Sequence, residues 1–180
     1  MHRRLLQQKL DRHQPYDAEE AGMLQRLSQF VAQHPDCFER SLSIGHVTGS
    51  AWIIDLARDH ALLTHHRKLN RWLQLGGHSD GDHDTLRVAL REGREESGLS
   101  ALQPVSEAIF DIDVHLIPER KGEPAHYHYD VRFLLEADRQ APLTISSESK
   151  DLAWVPLEEI LALAPEPSIR RMVAKSRALD

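Results

Sequence analysis

Glu92, Glu95 and Glu96 are the residues whose type and spacing point most directly to chemistry. They lie in the run Arg91-Glu92-Gly93-Arg94-Glu95-Glu96, which ends at Gly98. Glycine at that position favours a left-handed helix C-cap. On a helix, Glu92 stands three and four residues before Glu95 and Glu96, so the three carboxylates can share a face. Arg91 is spaced to pair with Glu95, while Leu86, Ala89, Leu90 and Gly93 form the opposite, packing stripe. Grouped carboxylates repel one another unless a cation sits among them, and hard oxygen ligands suit Mg²⁺ or Mn²⁺ better than zinc. Without such an ion, a run of charge is a solvated helix face.

The glycines around this run separate the two readings. From Gly77 onward the sequence resembles the Nudix box, G-x5-E-x7-R-E-U-x-E-E-x-G-U, where U is aliphatic. Gly77, Arg91, Glu92, Glu95, Glu96, Gly98 and Leu99 match. His83 replaces the first Glu, and Gly93 replaces the aliphatic residue at a helix-propensity cost of about 1 kcal/mol relative to Ala.

The resemblance covers roughly Ser43 to Leu163 and implies an α+β chain with the Nudix fold, a mixed β-sheet in an αβα sandwich. It also implies hydrolysis of a diphosphate linkage in a nucleoside diphosphate derivative or nucleoside triphosphate. In that scheme Glu92, Glu95, Glu96 and the Gly76 carbonyl hold Mg²⁺ or Mn²⁺. The metal bridges phosphate oxygens and acidifies a water. Glu92 or Glu148, the latter in the loop before a late strand, orients or deprotonates that water, and Arg91 positions Glu95. Glu95→Gln is then expected to remove almost all metal-dependent turnover with the fold intact.

Two subfamily markers are missing. Val114 and His115 stand where ADP-ribose hydrolases carry Pro. His115, Leu116 and Ile117 stand where dinucleoside polyphosphate hydrolases carry Tyr. Other functions on the same fold are a non-catalytic nucleotide-sensing module and a diphosphate isomerase. The intact carboxylates argue against the first, and the placement of Cys37 ahead of the core argues against the second.

The elements that must position these groups follow from periodicity. Residues 2–11 read as a short basic helix. Asp17 caps a second one with Met23, Leu24, Leu27, Phe30 and Val31 at helical spacing. Residues 1–42 therefore form a helical extension packed on the core, with a homodimer contact or a cover over the cleft as further roles, and residues 43–180 form the hydrolase domain. HVTGSAWIIDL and HALLTHH read as strands, and Gly49 in the first marks a bulge or a close backbone approach. His65 to Lys68 form a loop or a cationic edge, and WLQLGG is the strand entering the box, with His78 just beyond it.

Downstream, residues 106–137 read as a hairpin turning near Glu119 to Glu123. Its period-2 pattern places Asp111, Asp113 and His115, with His126, His128, Asp130 and Arg132, on one face. A turn centred between Arg120 and Lys121 pairs Asp111 with Asp130, Asp113 with His128 and His115 with His126. Such a face is either solvated or lines the substrate cleft, where His78, His115, His126, His128, Asp113, Asp130 and Arg132 become candidates for holding substrate, ordered waters or a further metal. LAWV then reads as a strand, with Pro156 opening a helix. The last helix turns Ser168, Ile169, Met172 and Val173 inward and Arg170, Arg171 and Lys175 outward.

Composition bounds the rest. At 180 residues and 41% hydrophobic, the chain suits one domain with a full core. A net charge of −6 argues against binding nucleic acid through its phosphates and leaves a small phosphorylated substrate open, because a divalent ion reverses the local sign. A single Cys excludes a disulfide framework and fits a cytoplasmic setting. The start has no apolar segment of a secretory signal, and no run is long enough to span a membrane.

Overall fold

The computed structural model describes residues 2–120, 122 and 124–179. Two helices, α1 (Arg4–Arg12) and α2 (Ala18–Gln33), come first. Asp17 caps α2, its carboxylate accepting from the Glu20 N–H at 2.7 Å. The strands are β1 (Gly45–Asp55), β2 (His60–His66), β3 (Arg71–Leu73), β4 (Leu75–His78), β5 (Gln103–Pro104), β6 (Asp111–Ile117), β7 (His126–Ala137) and β8 (Ser149–Pro156). Helix α3 (Thr85–Ser97) follows β4, and α4 (Ile160–Leu163) and α5 (Pro167–Ser176) close the chain.

Strand β1 is the axis of a mixed sheet, and all of its residues are buried. It runs parallel to β7 from Gly45↔Tyr127 to Asp55↔Ala137. Its first half pairs antiparallel with β4 and its second half with β2. Strand β6 pairs with β7, and β8 with β2.

Two cores cover the two faces. Val47, Ala51 and Ile53 of β1 pack with Val131, Phe133 and Leu135 of β7 beneath α1, α2 and α3. Trp52, Ile54 and Leu134 pack on the other side with Ile160, Ile169, Met172 and Val173 of α4 and α5. This is the αβα sandwich. Leu6, Leu10, Leu27 and Phe30 of the front helices share the first core with the sheet.

On the second face the pattern changes halfway along the strands. Period 2 continues from Trp52 and Ile54 back to Ser50, Thr48 and His46, and from Leu134 back to Arg132, Asp130 and His128. One half of this face is therefore apolar core and the other half is a polar floor.

Three expectations need correction. First, β6 and β7 pair Asp111↔Arg132, Asp113↔Asp130 and His115↔His128, two residues along from the expected register. Parity survives, so the same side chains share the face, but Arg132 now lies opposite an aspartate. The expected turn falls partly on Lys121 and Glu123, outside the described residues. Second, Pro156 ends β8 opposite His60 instead of opening a helix, and α4 begins at Ile160. Third, Arg171 is 3% exposed and Lys175 is nearly buried, because both reach Asp111 beneath the sheet.

Candidate active site

The polar floor opens into a cleft of about 240 Å³ lined by Gly76, Gly77, His78, Glu92, Glu96, His115, His128, Asp130 and Glu148, with Arg40 at its edge. A larger hollow of about 600 Å³ lies elsewhere, against Lys9, His13, Phe110 and Lys175, away from these carboxylates.

Helix α3 delivers the acids. Asp84 caps it, accepting from the Arg87 N–H at 3.3 Å, and Gly98 closes it at φ 77°, where the left-handed conformation suits glycine. The helix lies so close to β1 that a Cβ on Gly49 would stand 2.8 Å from the Thr85 carbonyl oxygen. Gly93 faces Leu102 and Ala51 in the same interface. This is the close backbone approach read from Gly49, and Val88, absent from the expected stripe, is fully buried there.

Gly77 makes room for the Glu92 carboxylate, and Gly76 for the close pairing of β4 with β1 at Ser50. A Cβ on Gly77 would lie 2.4 Å from the Glu92 carboxyl carbon, and one on Gly76 would strike Ser50. Glu96 accepts from the Gly76 N–H at 3.4 Å. Burial pushes the Glu96 carboxyl up to about 8; the Gly76 N–H works against the shift, and the charges of Glu92, Glu148 and Glu95 add to it. Burial also raises Glu92, against the pull of Arg91. Arg91 donates to Glu92 Oε1 and to the His78 carbonyl oxygen, both at 2.8 Å.

Two expectations about these residues change. Arg91 pairs with Glu92 rather than Glu95. Glu95 is exposed and lies beside Leu90, Arg91 and Arg94 on the flank of α3, outside the cleft. His83 also points away, its ring 5.5 Å from that of Phe38.

Among the hairpin candidates, His115, His128 and Asp130 line the cleft. Arg132, Asp113 and Asp130 are largely spent on one another. Arg132 is 2% exposed and reaches Asp130 at 2.8 Å, Asp113 at 3.2 Å and Asp111 at 3.3 Å. Burial alone would raise the Asp113 carboxyl, but Arg132 and His115 hold it at about 2. Asp130 also accepts from Thr48 and Ser50 at 2.8 and 2.7 Å. Arg132 and Asp113 thus build the floor beneath the cleft and do not line it. His126 sits on its margin, with Nδ1 2.9 Å from the Pro124 carbonyl oxygen.

Several lining residues escaped the sequence reading, Arg40, Gln74 and Ser50 among them. Arg40, at the end of the helical front segment, pairs with Asp80 at 2.8 Å and holds the Asp80 carboxyl low. Gln74 donates to Asp130 at 3.3 Å. Ser50 faces Gly76 across β1 and β4. Only the parity of β1 could have signalled Ser50; Arg40 and Gln74 lie in irregular segments with no period to read.

The donor set suits a hard divalent cation. Glu92 and Glu96 are held at raised proton affinity beside Gly76 and Gly77, and Glu148 lines the same cleft.

Known proteins resemble this chain in sequence and in fold. The asymmetrical bis(5'-nucleosyl)-tetraphosphatase of Mus musculus is 30% identical over 97 residues, which is 53% of this chain and 63% of that protein. The chain therefore matches a little under two thirds of that relative's length. The structure of a C. elegans Ap4A hydrolase binary complex superposes with a TM-score of 0.60 at 20% identity, covering 73% of this chain and 95% of that one. An E. coli dihydroneopterin triphosphate pyrophosphohydrolase gives 0.59 at 16% identity, covering 72% and 92%. The family model for the NUDIX domain matches residues 46–175, and the chain belongs to that family.

Proposed function

We propose that this chain is a pyrophosphohydrolase that uses Mg²⁺ or Mn²⁺ to cleave a phosphoanhydride bond in a nucleoside diphosphate derivative or nucleoside triphosphate. The observation that carries the reading is the pair of half-buried Glu92 and buried Glu96, set against Gly76 and Gly77 in the cleft that Glu148 also lines, with proton affinities raised by burial and by repulsion from neighbouring carboxylates. A cation removes that repulsion.

Glu92, Glu96 and the Gly76 carbonyl would hold the metal, which when bound supplies charge neutralisation and Lewis acidity at the phosphates. Arg91 fixes the Glu92 carboxylate and ties it to the backbone of β4. Glu148 is exposed in the loop before β8, so it can take a proton from the attacking water and pass it to solvent. Arg40 and His115 line the walls as donors to the phosphate chain. The cleft is smaller than the roughly 300–1,000 Å³ of sites that enclose a whole small molecule. It suits the charged middle of a substrate, with the nucleoside outside.

The test is phosphate or pyrophosphate release from a panel of nucleoside triphosphates, nucleoside diphosphate derivatives and bis(5'-nucleosyl) tetraphosphates, with and without Mg²⁺ or Mn²⁺. Glu148→Gln is expected to lower kcat by about 10²–10⁴-fold as the loss of a general base. Glu95→Gln, an exposed charge acting through solvent, costs less than about tenfold. Metal-independent release, or equal losses in these two variants, overturns the assignment.

A further inference from the structure

Three histidines that the carboxylate chemistry does not require converge on the polar floor. His46 lies on β1, His78 on β4 and His128 on β7. Register brings them together: His46 pairs with His128 across β1 and β7, and His78 pairs with Thr48, two residues from His46 on the same face. Their ring centroids are 5.0 Å (His46–His78), 4.9 Å (His46–His128) and 5.0 Å (His78–His128) apart, close to an equilateral triangle. One ring nitrogen from each lies within 4.8 Å of those of the other two.

His46 is 4% exposed, and neither of its ring nitrogens has a hydrogen-bond partner. The buried Nε2 of His128 has none either. Buried polar atoms in folded proteins are almost always paired, so the unpartnered nitrogens of His46 and His128 need an occupant. Three imidazoles on adjacent strands of a sheet are also held nearly in place before anything binds.

We propose that His46, His78 and His128 form a site for a divalent first-row transition metal of the zinc type, separate from the carboxylate site and opening onto the same cleft. Imidazole nitrogen suits zinc, nickel, cobalt and copper, whereas Mg²⁺ prefers oxygen. Two nitrogens at about 2.1 Å from a tetrahedral zinc are about 3.4 Å apart, which small rotations of these rings supply. Three protein ligands leave a fourth position open. Because His78 and His128 line the cleft and His46 lies behind them, that position faces the space where phosphate would lie. His126, with its ring 5.1 Å from His46 and 5.3 Å from His128, stands next to the site as an alternative fourth ligand. The site rests on the imidazoles alone and does not depend on turnover at the carboxylates.

The experiment uses the full chain, depleted of metal and then equilibrated with excess Mg²⁺ before Zn²⁺, Co²⁺ or Cu²⁺ is added. The expected result is one transition-metal equivalent retained per chain, with nitrogen superhyperfine splitting in the Cu²⁺ electron paramagnetic resonance spectrum. His46→Gln should weaken retention by more than the roughly 10–100-fold typical of losing an outer-shell partner, while the double variant Glu92→Gln, Glu96→Gln keeps it. Retention unchanged in His46→Gln overturns the proposal. So does an oxygen-only Cu²⁺ spectrum from the unsubstituted chain, a measurement that needs no variant to fold.

Discussion

Glu96 shows how a residue's chemistry and its contribution to stability oppose each other. Its folded carboxyl titrates near 8, against 4.5 for the ordinary group. Between those values the metal-free native state binds more protons than the unfolded state, so stability falls as pH rises through that window. Glu96→Gln removes the penalty. The variant should melt higher than the unsubstituted chain above pH of about 8 without metal, and the difference should shrink as pH falls toward about 4.5. Added Mg²⁺ should raise the melting temperature of the unsubstituted chain and leave that of the variant nearly unchanged. Melting curves across that pH range test both; a variant less stable at high pH would show that Glu96 is already compensated. The sequence could not single this residue out. Glu95 and Glu96 fall about 60° to one side and 40° to the other side of Glu92 around the helix. Spacing alone makes all three neighbours, and only the position of β4 decides which side meets the cleft.

At the scale of elements, the glycines divide into those that let elements pack and those that let carboxylates in. Gly49 belongs to the first kind: its Cβ would meet the Thr85 carbonyl and the Val88 side chain at 2.8 Å, and backbone does not yield easily. Gly49→Ala should therefore destabilise the fold by about 1–3 kcal/mol, as overpacking does. Gly77 belongs to the second kind, because the atoms its Cβ would strike are the end of the flexible Glu92 side chain. Gly77→Ala should displace Glu92, cutting turnover sharply while shifting stability by less than about 0.5 kcal/mol. Urea unfolding alongside nucleotide hydrolysis separates the two, and the reverse pattern would sink this division. Most elements were legible because they carry strong local signals: the Asp17 cap, the Gly98 stop and the alternation in β6 and β7. The hairpin register was not, since a slip of two residues preserves every side chain's face and leaves the pattern unchanged. Pro156 was misread because a proline at the end of a strand and one at the start of a helix look alike until the partner strand is seen.

Across the whole molecule, one buried ionic chain ties the helical front, the sheet and the C-terminal helix to the cleft floor. Lys175 of α5 donates to Glu20 of α2 at 2.7 Å and to Asp111 of β6 at 2.8 Å. Arg171 reaches Asp111 at 2.7 Å, and Asp111 meets Arg132, which grips Asp113 and Asp130 under the cleft. Amphipathic periodicity placed Arg171 and Lys175 outside because it ranks residues by polarity and cannot see a buried acid waiting for them. Burial alone would raise the Glu20 carboxyl, but hydrogen bonds from His13, Lys175 and the Tyr16 N–H hold it at about 2. A carboxyl with a depressed folded value contributes stability above its ordinary 4.5 and loses it as pH falls toward about 2, so acid should loosen this chain in that window. Lys175→Met removes the shared cation and leaves Glu20 and Asp111 short of charge in the interior, which should cost about 3–5 kcal/mol at neutral pH. Because the Glu20 value then rises, the variant should also lose less stability between pH of about 4.5 and 2 than the unsubstituted chain. Urea unfolding at several pH values measures both effects, and parallel acid profiles would mean that Lys175 does not hold Glu20 ionised. Since the same ions continue to Asp130, Lys175→Met should also weaken substrate binding at the cleft, a readout that a local defect at α5 would leave untouched.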